Sequence, residues 1–188
     1  MENTPKIDVS CKVVIDSFHD LNKWPSDIKN WIQGSQELTG ASQLEIIDDS
    51  DYALLIKEAL EAGELIDLGN GNYYARSHPQ DVARSETRTI VATRHPEDKG
   101  LYNNWMPIGE IRPKVMNLMK ASMQGKKMYV IPYLMGPIDC PVTQAGIELT
   151  NSRYVALHMI LMTKAGRVAL TRSGGRGTIP ADSIVRAI

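Results

Sequence analysis

Two spacings of apolar residues alternate along this chain, one suited to helices and one to strands. In "SDIKNWIQGSQELTG" Ile28, Trp31 and Ile32 recur at helical spacing, with Ser26 placed to cap the start and Gly40 to end the unit. "LEIID" then reads as a short strand. In "DYALLIKEALEAG", capped by Asp49 or Ser50, the positions of Leu54, Leu55 and Leu60 predict a buried stripe on a helix that ends at Gly63. "ELIDLGNGNYYARS" sets two apolar runs around Gly-Asn-Gly, residues that tolerate positive φ, and so predicts a hairpin.

The second half continues in the same way. "ARSETRTIVATRHP" has the Thr, Ile and Val content of a strand, with Arg84, Glu86 and Arg88 on one side. "HPEDKGLYNNWMP" reads as a polar loop plugged by Trp105. A helix is predicted from about Pro113 to Gly125. "KKMYVIPYLMGP" is the clearest buried strand, in which Pro132 points to an edge, a bulge or a strand boundary. "GIELT" is a further strand. "NSRYVALHMILMTKAG" is a helix capped by Asn151 or Ser152, apolar nearly all round and therefore expected to be buried on most faces. Alternating helices and strands predict an α/β fold, a mixed sheet with flanking helices. Residues 1–25 form a variable lead-in, 26–166 the domain, and 167–188 a divergent basic tail rich in Gly, Ser and Arg. Disorder, rather than a nucleic-acid arm, is the expectation for that tail.

Composition narrows the class. A chain of 188 residues, 43% apolar and 23% charged, suits one domain, and a net charge of −1 gives no footprint for nucleic acid. Cys11 and Cys140 lie far apart with no CxxC partner, which predicts reduced thiols and a cytoplasmic location. The N-terminus has no apolar signal segment, and no apolar run approaches the length of a membrane span.

Few residues offer chemistry. His19, His78, His95 and His158 are scattered without ligand spacing, so no metal site is expected, and His158 reads as a satisfied core histidine. The phosphate loop GxxxxGK is absent, "SGGRG" in the tail reads as linker, and there is no GxSxG. What remains is "DVARSE". Arg84 could receive a carboxylate bidentately, with Glu86 two residues on holding the plane of its guanidinium. Alternating charge on a strand is also the pattern of an ordinary solvated face.

"ARSHPQDVARSE", "NNWM", "MQGKKMYVIPYLMGP" and "GIELTNSRYVALHMILMTKAG" come in the order and spacing of a known family. From about residue 27 to 166 the chain resembles the N-terminal, substrate-side domain of the GTP-dependent phosphoenolpyruvate carboxykinases. The resemblance implies a lyase of gluconeogenesis that converts oxaloacetate and GTP to phosphoenolpyruvate, GDP and CO2. It implies Mn²⁺ in the active site and Mg²⁺ with GTP. On this chain it implies that Arg84 binds the carboxylate of oxaloacetate or phosphoenolpyruvate and that Glu86 stands behind it. The family's GYGGNS loop, its phosphate loop, its metal ligands and its guanine site are absent from the sequence, and the tail after Gly166 departs from the family pattern. The expectation is a fragment inactive alone, with no metal or nucleotide of its own, whose partner is a C-terminal nucleotide-binding domain. The rival expectation is a stand-alone, non-catalytic module that binds a small dicarboxylate or a protein.

Overall fold

The computed structural model describes residues 18–76, 89–101, 104–137, 140, 143–170 and 184–187. After a 3₁₀ turn at Leu21–Lys23 come α1 (Ser26–Thr39), β1 (Gln43–Ile46), α2 (Tyr52–Glu61), β2 (Leu65–Gly69) and β3 (Asn72–Ala75). Then follow β4 (Val91–Thr93), β5 (Trp105–Pro107), α3 (Ile108–Met119), β6 (Lys127–Met135) and β7 (Gln144–Thr150). The described chain ends with α4 (Arg153–Met162), β8 (Lys164–Ala165), α5 (Arg167–Leu170) and β9 (Ile184–Ala187).

The centre is the mixed sheet that alternation predicts, in the order β1-β6-β7-β9 with β8 also on β6. β1 runs parallel to β6, β7 antiparallel to β6, and β9 parallel to β7. β9 thus places part of the basic tail in the sheet. Residues opposite each other share a face, so Val130 and Leu149 lie on one side while Ile131 with Glu148 and Tyr133 with Gly146 lie on the other. The first face packs on Ile28 and Ile32 of α1. The second packs on Leu55 and Ala59 of α2 and on Ala156 and Leu157 of α4. Ile32, Val130 and Leu149 are wholly buried, each contributing about 1.5–3 kcal/mol by leaving water. Phe18 and Trp24, within the lead-in, join this core, and the Trp24 indole donates to the Phe18 carbonyl at 2.9 Å.

Several expectations hold and several shift. The Gly-rich turn joins β2 to β3 with Asn70 and Gly71 both at positive φ, as a tight hairpin requires. α1 ends at Gly40 in the left-handed region, but Ser26 is its first helical residue and Pro25 stands at the cap. Neither Asp49 nor Ser50 caps α2: both lie in a 3₁₀ turn, Asp49–Asp51, that Asp48 caps in a capping box with Asp51, and Asp51 itself stands at the N-cap of α2. The buried stripe of α2 is Leu55, Ile56 and Ala59, one turn apart on a single face, while Leu54 stands off that face and is half exposed. α3 begins at Ile108 rather than Pro113, carrying that proline internally at the loss of one hydrogen bond, and none of its residues is buried. The loop before it holds a 3₁₀ turn at Pro96–Lys99, and Trp105 is half-buried in β5.

Pro132 lies inside a central strand, not an edge. Its carbonyl accepts from Gly166 N–H at 2.8 Å, so its nitrogen faces the same side of β6. On that side β1 stops opposite Val130 and β8 starts opposite Tyr133, leaving the proline where no partner needs its N–H. The largest correction concerns α4. Ser152 caps it as expected, accepting from Val155 N–H at 3.3 Å, yet only Ala156 and Leu157 are buried. Tyr154, Leu161 and Met162 are exposed, because the sheet and α2 cover one side of the helix while the other lines an open cavity facing the β2–β3 hairpin or meets solvent.

Candidate functional site

The "DVARSE" segment, with Arg84, Glu86 and His78, lies outside the described residues, between β3 and β4. The end that leads into β4 is described and firmly held. Asn104 donates its side-chain N–H to the Thr89 carbonyl at 3.2 Å, and its own carbonyl accepts from Val91 N–H at 3.0 Å. Trp105 donates its indole N–H to the Thr93 hydroxyl at 2.7 Å, and β4 pairs with β5 in parallel register. "NNWM", a motif with no evident task in the sequence, therefore clamps the strand that continues from the Arg84 segment.

Three other cations, Arg153, Lys127 and Arg167, are engaged with carboxylates. Arg153, the first residue of α4, reaches Glu64 at 2.6 Å and Glu58 at 3.3 Å, tying α4 to α2 and to the loop after it. Lys127 pairs with Glu45 across β6 and β1, and that hydrogen bond is the main cause of its raised pKa. Arg167 donates its backbone N–H and its Nε to the buried carboxylate of Asp48, at 2.9 and 2.5 Å. Burial opposes ionisation of Asp48, but the two Arg167 hydrogen bonds, its charge and Asp49 N–H outweigh it, and the carboxyl titrates below its ordinary range. These cations are neutralised where they stand, which suits them to holding elements together rather than receiving an anion.

On the α2–α4 face of the sheet, the Tyr133 ring lies over Gly146 beside Glu148. Burial raises the pKa of Glu148, and burial followed by the Glu148 charge raises that of Tyr133. His19 Nδ1 lies 3.2 Å from the Ile46 carbonyl and His95 precedes the 3₁₀ turn at Pro96–Lys99. His158 is partly exposed, not in the core, with Nδ1 at 2.8 Å from the Tyr154 carbonyl. Among the described residues no three His, Cys, Asp or Glu come together as a metal cage. Cys140 is half-buried, and Cys11 lies outside the described residues. No helix of the described residues is long and apolar enough to cross a membrane.

The fold is thus an α/β domain with a mixed sheet between flanking helices. The sequence model of the phosphoenolpyruvate carboxykinase N-terminal domain matches residues 30–180, and the chain belongs to that family. The match runs past Gly166, where the motif resemblance stops, and ends before β9. Phosphoenolpyruvate carboxykinase (GTP) of Corynebacterium efficiens is 37% identical over 158 residues, covering 81% of this chain and 26% of the relative. Proteins of the same name from Corynebacterium kroppenstedtii (39%) and Neocallimastix frontalis (38%) each match over 154 residues, 79% of this chain and 25% of the relative. The chain spans about a quarter of the length of the curated relatives it matches.

Proposed function

We propose that this chain is the substrate-side part of a GTP-dependent phosphoenolpyruvate carboxykinase, acting on oxaloacetate and GTP in gluconeogenesis. The observation that carries this reading is the family match across residues 30–180, which includes "DVARSE". Arg84 binds a carboxylate of oxaloacetate or phosphoenolpyruvate. Its planar guanidinium offers two parallel N–H donors, and Glu86 restrains its rotation. Its contribution is orientation, which removes part of the entropic barrier to reaction. The clamp of Asn104 and Trp105 on Thr89 and Thr93 supports this role by fixing one end of the segment.

Mn²⁺ and the Mg²⁺ that accompanies GTP find no cage among the described residues, so no step is assigned to a metal on this chain. The same reading makes the chain inactive alone, with turnover requiring a C-terminal nucleotide-binding domain, and places it in the cytoplasm. Incubation of the chain with oxaloacetate, GTP and Mn²⁺ tests this. Phosphoenolpyruvate should not form above the rate without protein, and its formation would contradict the assignment of inactivity.

A further inference from the structure

The β2–β3 hairpin, α2 and α4 line a half-open cavity of about 350 Å³. Its walls include Tyr52, Tyr73, Tyr74, Tyr154 and His158, with Asn72 at the hairpin turn, above an apolar floor that includes the buried Leu65 and Leu157. The size falls within the range of small-molecule sites, and an apolar floor with a few polar groups at the wall is their usual make-up.

The lining also limits the occupant. Among the described residues no Asp, Glu, Lys or Arg lines the cavity. A carboxylate, a phosphate or an ammonium would meet no counter-charge among the described lining residues, which favours an uncharged occupant. The Tyr154 and His158 rings lie against each other at a 38° tilt with centroids 4.1 Å apart and present an aromatic wall. His158 Nδ1 faces the Tyr154 carbonyl at 2.8 Å, and a carbonyl can only accept, so the Nδ1 carries the proton. In the neutral ring Nε2 is then a bare acceptor. None of the hydroxyls of Tyr52, Tyr73, Tyr74 and Tyr154 bonds to a described residue. We propose that this cavity binds a small uncharged aromatic molecule that carries an N–H or O–H donor, its ring against Tyr154 and its donor on His158 Nε2.

Indole is a probe of the right chemistry, with 1-methylindole lacking the donor and benzoate carrying a charge. Titration of the 188-residue chain followed by saturation-transfer NMR should show saturable indole binding, several-fold weaker binding of 1-methylindole, and none of benzoate. Tyr154→Ala should weaken indole about tenfold, as loss of a stacking partner does. His158→Phe should keep the ring and abolish the preference for indole over 1-methylindole. Leu161→Trp, at an exposed wall position, fills the cavity without removing a core contact and should also block binding. Absence of saturable indole binding to the wild-type chain, unchanged binding in both Tyr154→Ala and Leu161→Trp, or benzoate binding as tightly as indole would each overturn the proposal.

Discussion

The carboxylate of Asp48 occupies the space that a side chain on Gly166 would need. A Cβ at Gly166 would stand 2.0 Å from Asp48 Oδ1 and 2.8 Å from its Cα, and Gly166 has φ +87°. Backbone conformation and close approach both demand glycine, and together they deliver Arg167 to Asp48. Gly166→Ala should therefore destabilise the chain by about 2–4 kcal/mol, read as a lower denaturation midpoint. Asp48→Asn should cost about 2 kcal/mol near neutral pH. The folded-state pKa of Asp48 lies below its ordinary value of 3.8, so its contribution is present above that pH and is lost as pH falls through the folded value. Wild type and Asp48→Asn should converge in stability at acid pH, and a constant gap down to the acid transition would contradict this.

Glu148 should behave in the opposite sense. Burial raises its folded pKa above the ordinary 4.5, so its neutral form is favoured and its charge costs stability at neutral pH. Glu148→Gln should raise the melting temperature at pH 7. The gain should fade as pH falls through the folded pKa and the wild-type carboxyl takes up its proton. A variant less stable than wild type at pH 7 would show that the carboxylate has a favourable partner.

Tyr133 and Gly146 are matched across β6 and β7. A Cβ on Gly146 would meet the Tyr133 ring at 2.4 Å, and that ring is only 8% exposed. Gly146→Ala should cost about 2–3 kcal/mol through overpacking. Combined with Tyr133→Ala it should cost clearly less than the sum of the two single changes, because the clash is gone. Additive losses would contradict the contact.

Local chemistry made much of this fold legible in sequence. Gly69, Asn70 and Gly71 announce the hairpin because few other residues accept positive φ, and Ser152 announces a helix start because its hydroxyl satisfies a backbone N–H. Partners far apart in the chain left no such signal. Asp48 and Arg167 are separated by 119 residues, and neither stands in a recognisable pattern. Pro132 left an edge, a bulge and a strand boundary open, because the end of β1 and the start of β8 cannot be read from β6 itself. The all-round apolar character of α4 suggested burial, but apolar content does not say what covers a helix face, and half of α4 lines a cavity or meets solvent. The motif that carries Arg84 is marked by family resemblance rather than by the alternation of charge along its sequence.

The central claim is that Arg84 holds a substrate carboxylate, and oxalate titration by calorimetry tests it most directly. Wild-type chain should bind oxalate saturably, and Arg84→Lys should bind it more weakly, since a point charge replaces a two-pronged donor. Arg84→Ala should lose at least about tenfold in affinity, the equivalent of roughly 1.4 kcal/mol or more, while its melting temperature stays within a degree or two of wild type. Oxalate binding unchanged in Arg84→Ala would contradict the account.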